Sequence, residues 1–239
     1  MVGKLIILTV SLVAVSIMPA RGQQKLLPAG SDTLGAAAND TSQSQIAKVG
    51  DHTYKLGTLT IDSELREITV PGKVNMHRGM IELLACGPGG KTHESVLVLD
   101  VAPYHLQVAL LLVGLQYVGG LAYQGDPHTP KGDSVEVWVK WKNGDRDTSV
   151  RGEDLVWDIP RNQHMEHTPW VFVGSMMSDG KFMADVEKSL ITTYHDPLTI
   201  LDNPLTTGGD DTLYRVNEDL VPAKGTPVEV TIKALSREK

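Results

Sequence analysis

The sequence has a single cysteine, Cys86, among its 239 residues. One thiol cannot form an intramolecular disulfide, so the fold has to be held by its core. A lone thiol also excludes a Cys-ligated iron–sulfur cluster and a Cys-rich zinc knuckle, both of which need several thiolates. Positive charge is scarce as well. Lys and Arg number 22 against 29 Asp and Glu, a net charge of −7, and no basic cluster stands out. That balance lacks the electrostatic footprint of a nucleic-acid binder or of a protein held on an anionic membrane surface. There is no internal repeat. The His-Glu-x-x-His zinc motif is missing, because Leu97 stands where the second histidine after His93-Glu94 is needed. The apolar run Leu5–Met18, interrupted by Thr9, Ser11 and Ser16, falls short of the roughly 20 residues of a membrane-spanning helix.

What is present at the start of the chain has the order of a secretory signal. Lys4 supplies a positive charge, Leu5–Met18 the apolar region, and Pro19 followed by Ala20-Arg21-Gly22 a break with small residues for cleavage. No cysteine follows directly, which argues against a lipoprotein anchor. The expectation is a signal peptide over residues 1–22, an exported protein of the periplasm or extracellular space, and no stable membrane span after cleavage. Residues 23–50 are rich in Gln, Ala, Ser, Asn, Thr and Gly without apolar periodicity, and read as a flexible spacer.

From residue 51 onward the patterning is that of one folded domain, 51–239. Tyr54–Ile61, Glu67–Asn75 and Met80–Ala85 read as strands, and Gly87-Pro-Gly-Gly90 as a turn. His93–Asp100 reads as a strand buried in its second half. Pro103 suits the first turn of a helix, and the following residues up to Leu115 are apolar nearly all round, which predicts a helix buried on all sides. Ser134–Trp141 alternates, and Asn143-Gly144 marks a hairpin returning through Arg146–Val150. Trp170–Gly174, a hairpin within Lys181–Thr193, and Pro227–Ala234 complete the strands. The predicted class is α+β, with predominantly antiparallel strands and one buried central helix over about 103–115.

The stretch Arg78–Leu115 carries a resemblance. It reads Gly79-Met-Ile-Glu-Leu-Leu-Ala-Cys86, Gly90-Lys-Thr-His-Glu-Ser95 and Ala102-Pro-Tyr-His-Leu-Gln-Val-Ala-Leu-Leu-Leu-Val-Gly114. This resembles the YdjY-type domain of exported bacterial proteins, a family of unassigned function. Trp170–Ser175 and Asp196-Pro197 also look like the longer members of that family. The resemblance supports localisation and fold. Some relatives carry a ferredoxin-like label, which this chain does not inherit, since Cys86 is its only thiol.

The leading ligand-binding candidates are Lys91, His93, Glu94 and Ser95, grouped after the glycine-rich turn. On a regular strand His93 and Ser95 share a face, but about 6–7 Å apart, too far for a histidine to activate the serine directly. His105 is expected to be a hydrogen-bonded residue of a helix start, distant from His93. His164-Met-Glu-His167 brings two imidazoles together, so that His93, His164 and His167 are the candidate metal ligands. His195 or Asp196 is a conceivable third partner for the pair, and a solvated polar loop is the plainer reading. Gly87–Lys91 lacks the spacing of a phosphate loop. Gly208-Gly-Asp-Asp211, preceded by Asp202, reads as an acidic surface turn rather than a calcium site, and at least one of Trp138 and Trp141 as sheet packing. Cys86 reads as a buried small hydrophobe.

These features support a non-catalytic domain that binds a protein, an envelope surface or a small ligand. The alternative is a metal-dependent enzyme or metal-binding protein centred on Lys91–Ser95, and a purely structural envelope component is a third reading. A wide exposed apolar patch favours the first, and a cleft converging on His93 the second.

Overall fold

The computed structural model describes residues 45–236. The signal peptide read over residues 1–22, and most of the spacer read over 23–50, lie outside the described residues. The strands in chain order are β1 (Ile46–Lys48), β2 (Thr53–Leu56), β3 (Leu59–Asp62), β4 (Glu67–Val74), β5 (Leu83–Cys86) and β6 (Ser95–Leu99). After helix α1 (Pro103–Leu112) come β7 (Ser134–Asn143), β8 (Arg146–Arg151), β9 (Val156–Asp158), β10 (Gln163–His164), β11 (Trp170–Phe172), β12 (Met177–Ser178) and β13 (Lys181–Phe182). Helix α2 (Met183–Glu187) precedes β14 (Ser189–Thr192), β15 (Leu201–Asp202), β16 (Tyr214–Val216) and β17 (Pro227–Ala234). Strand β1 lies within the stretch read as spacer and pairs antiparallel with β2.

The α+β class with a central helix is not what forms. The chain is mostly β, and its main sheet closes on itself. The order β4-β17-β7-β11-β15-β14-β5-β6 returns to β4 through the β4–β6 pairing, giving an eight-stranded mixed barrel. β5–β6 and β14–β15 are parallel, and the other neighbours in the ring run antiparallel. The long strands alternate as their sequences require. Ile68 and Val70 of β4, Val228, Val230 and Ile232 of β17, and Val135, Val137, Val139 and Trp141 of β7 are all buried. Every residue of β5 is buried, as suits a strand covered on both faces.

Closure depends on β4 serving two neighbours on one side. Its first half pairs with β3, through Glu67↔Asp62 to Thr69↔Thr60, and its second half with β6, through Gly72↔Leu99 to Val74↔Leu97. Pro71, which has no N–H to offer, sits between the two sets of pairs. At Gly72 a Cβ would lie 2.7 Å from both Leu99 Cδ2 and the Val98 carbonyl oxygen, so the seam requires glycine.

Helix α1 is not central. Leu106, Ala109 and Leu110 face the core, while Tyr104, Leu111 and Leu112 are exposed, and the helix packs against α2 and β3. Its sequence is apolar on both faces, so composition predicted burial all round; the tertiary structure leaves one apolar face open. A turn of helix, α2, also replaces the hairpin expected within Lys181–Thr193. Among the described residues no helix is long and apolar enough to cross a membrane.

Candidate functional site

The Lys91–Ser95 motif does not continue as a strand. Thr92–Glu94 forms a 3-10 turn, and β6 begins at Ser95. The parallel pairing of β5 with β6 brings Glu82, just before β5, beside Glu94, and the Glu82 N–H donates to the Glu94 carbonyl at 3.0 Å. Lys91 stands between the two carboxylates, 3.6 Å from Glu82 and 3.4 Å from Glu94. Burial and then the Glu94 charge push the Glu82 carboxyl above its ordinary pKa. Partial burial pulls the Lys91 pKa down, but Glu94 and Glu82 outweigh it and hold the ammonium above its usual value. Gln124 donates to Glu82 at 3.3 Å. The 3-10 turn lets His93 approach Glu94, at 3.4 Å, although a regular strand would separate them; His93 is nonetheless 78 % exposed and points to solvent. Ser95 is fully buried, and its hydroxyl donates to the Leu97 carbonyl. The four residues are thus not gathered around one cavity. Lys91 and Glu94 form an ion-pair network with Glu82, His93 is at its rim, and Ser95 belongs to the core.

His195 is also buried. Its ring nitrogens face the carbonyl oxygens of Asp126 and Asn203, at 2.6 and 2.9 Å. The contact is close enough that a Cβ on Gly208 would lie 2.2 Å from His195 Nε2. His195 ties together the loops after residue 125 and after β15, and is not available as a partner for His164 and His167. The tryptophans are engaged in packing: Trp141 and Trp170 are buried, the Arg151 guanidinium lies 5.6 Å from the Trp138 ring, and Arg215 lies 5.2 Å from that of Trp157. Cys86 is a free, buried thiol.

The structure instead opens a cleft of about 510 Å³ beside α1. Tyr104 and Gln107 of α1, Tyr117 and Gly119–Leu121 of the following loop, Gly174–Met177, Phe182 and Pro197 line it. Two close approaches shape it. Gly174 has φ 63°, and a Cβ there would lie 2.6 Å from the Tyr117 ring; a Cβ on Gly120 would lie 2.7 Å from the Pro197 carbonyl oxygen. Tyr104 meets Phe182 edge-on at 5.8 Å, and Tyr117 meets Phe172 at 5.3 Å. Of the residues that line the cleft, Tyr104, Tyr117, Met176 and Met177 are large apolar side chains left exposed. Polar groups are few. Gln107 Oε1 accepts the Ser175 N–H at 2.9 Å, which fixes the amide orientation and leaves its NH₂ group without an acceptor among the described residues. The Ser175 hydroxyl is committed, donating to the Leu198 carbonyl and accepting from the Ala184 N–H.

His164 and His167 are brought together as expected, with ring centroids 4.9 Å apart. Their third neighbour is Asp154, from the 3-10 turn Gly152–Leu155, with Oδ1 2.7 Å from His167 Nε2. His93 is not part of this group, which is the set of three metal-ligand side chains that the described residues bring within reach of a shared ion.

The family model of the YdjY domain matches residues 59–233, nearly the whole of the barrel and its additions. The chain belongs to the YdjY domain family. No curated protein and no solved structure matches it. The family match covers the cleft, the Lys91 network and the Asp154–His164–His167 group alike, so it does not choose among them. Sequence reasoning missed the cleft of this YdjY domain because its walls come from five separated segments. Asp154 was missed because the turn that carries it is ten residues from His164, and nothing in the spacing announces that the turn folds back on β10. The one available signal was the glycine spacing at Gly119-Gly120 and Gly174, small residues flanked by aromatic and apolar ones.

Proposed function

We propose that this YdjY domain is a non-catalytic binding module that takes a small apolar ligand, such as an acyl chain or an aromatic compound, in the cleft beside α1. The observation that carries the reading is the cleft itself: about 510 Å³, walled by tyrosine, phenylalanine, methionine and glycine. Its size falls within the roughly 300–1,000 Å³ of small-molecule sites, and exposed apolar patches of this kind mark binding surfaces. Met176 and Met177 provide side chains that adapt to irregular apolar shapes. The Gln107 NH₂ group offers its N–H donors, so the preferred ligand carries a carbonyl or carboxylate oxygen to meet them. On this reading the domain works outside the cytoplasm, in the periplasm or the extracellular space, after removal of the signal peptide over residues 1–22. The alternative, a metal-dependent centre at Lys91–Ser95, has less behind it. Lys91 and Glu94 neutralise one another, Ser95 is buried, and His93 faces open solvent.

The test is a titration of the purified protein with an environment-sensitive apolar dye, N-phenyl-1-naphthylamine, followed by competition with fatty acids. Saturable, blue-shifted emission that is lost in Tyr104→Ser/Met177→Asp supports the reading. Both side chains are more than half exposed, so the variant should keep its fold. Equal dye binding by the variant and the parent protein would sink it.

A further inference from the structure

We propose that Asp154, His164 and His167 form a second, separate site on this domain, one that binds a divalent transition metal with zinc as the best match. The donor set is two imidazoles and one carboxylate. That combination suits zinc, copper, nickel or cobalt rather than calcium or magnesium, which prefer all-oxygen cages. Three protein ligands leave at least one coordination position for water or for an added ligand.

The spacing fits. One ligand atom from each of the three residues lies within 4.8 Å of the other two. Tetrahedral zinc with bonds of about 2.0–2.2 Å sets its donors about 3.3 Å apart. His167 Nε2 lies 2.7 Å from Asp154 Oδ1, and His164 Nδ1 lies 3.9 Å from the same oxygen, so the two measured separations bracket that value. The third separation, between the two imidazoles, lies within 4.8 Å, and rotation of side chains at the protein surface closes it around an ion.

The group is also held in place from behind, as ligand sets usually are. The other oxygen of Asp154, Oδ2, accepts the Arg151 N–H at 2.9 Å, which aims Oδ1 at the two rings. The Asp154 carbonyl accepts from Asn217 Nδ2 at 2.7 Å, anchoring the turn to the residue after β16. His164 is set by the β10–β9 pairing, opposite Trp157; without an ion its Nδ1–H donates to the Met165 carbonyl at 2.8 Å, a hydrogen bond that Nδ1 gives up when it ligates. Met165 is fully buried and donates its N–H to the Val156 carbonyl at 2.8 Å. With Met165 pinned inward, His164 and His167 emerge on the same side of the segment. Glu166 turns instead toward Arg161, at 3.4 Å, and does not occupy the centre. His164 and His167 are about half exposed, so an ion enters from solvent and exchanges with it. The protein's net charge of −7 favours cation capture.

The experiment uses the untagged chain, stripped with a chelator and dialysed metal-free, then titrated with zinc by calorimetry and with cobalt by visible absorption. The expected result is one equivalent of zinc, and a cobalt spectrum with d–d bands of a four- or five-coordinate site. The His164→Ala and His167→Ala variants should each weaken zinc binding by more than about tenfold, and Asp154→Asn should do so without loss of fold. His93→Ala should leave binding unchanged. No zinc uptake by the parent chain, or equal uptake by the parent and His164→Ala/His167→Ala, would overturn the site. Uptake lost in His93→Ala but kept in the double variant would move the metal to the Lys91–Ser95 motif and overturn it equally.

Discussion

Asp202 illustrates how much a single residue can be governed by its surroundings. It closes β15 inside the barrel wall, fully buried. Burial pushes its carboxyl well above the ordinary carboxylate range, against the opposing hydrogen bonds from the Thr192 hydroxyl at 2.9 Å and the Asn203 N–H at 2.8 Å. Its other oxygen has no hydrogen-bond partner among the described residues. A carboxyl whose pKa is raised on folding binds its proton more tightly in the native state. Its contribution is therefore fully present below the unfolded-state value near 4, and is lost as pH rises toward the folded-state value. Asp202→Asn, which keeps the shape and cannot ionise, should unfold at a higher temperature than the parent at pH 7, with the gap closing as pH falls toward about 4. Thermal melts at pH 4, 5.5 and 7 measure it; a gap that is constant or widens in acid would refute the burial argument. The sequence grouped Asp202 with the acidic surface turn at Gly208–Asp211, and its burial was not legible because a two-residue strand has no periodicity to read.

At the scale of elements, α1 is the informative case. Its apolar composition, Leu106-Gln-Val-Ala-Leu-Leu-Leu112, predicted a helix buried all round, and its existence and start at Pro103 were legible. Which apolar positions are buried was not, since nearly every position is apolar and no moment points inward. The structure decides it, with Leu110 fully buried and Leu112 half exposed. Leu110→Ala should cost about 2–5 kcal/mol in denaturant unfolding, the usual range for a buried leucine, whereas Leu112→Ala should stay within about 0.5 kcal/mol. Equal losses would place the helix back in the centre of the core. The Lys91–Ser95 segment is a second element-scale case. Alternation along an assumed strand separated His93 from Glu94, and the 3-10 turn brings them to 3.4 Å.

At the scale of the whole molecule the closed barrel sets the order of stability. β17 is the strand with the longest partners on both sides, pairing from Pro227 to Lys233 with β4 and from Glu229 to Ala234 with β7. β1 lies at the open end of the β1–β3 extension, pairs on one side only, and has no buried residue. Native-state hydrogen exchange should therefore find the amides of Val230 and Ile232 exchanging only through global unfolding, while β1 opens at much lower free energy. Exchange of β17 ahead of β1 would contradict closure of the sheet through β4 and β6.

The sequence by itself determined the hydrophobic alternation of β4, β7 and β17, the hairpin at Asn143-Gly144, the start of α1 and the burial of Cys86. These are local properties, written in periodicity, turn chemistry and composition. Only the tertiary structure decided that the sheet closes into a barrel, because closure rests on how β11, β14 and β15 pair, and strands of two to four residues carry no signal of which neighbours they take. It also decided which face of α1 is left bare, that five segments line a cleft, and that Asp154 comes to His164 and His167. Each of these joins residues distant in the chain, and such meetings are set by strand pairing and packing rather than by spacing.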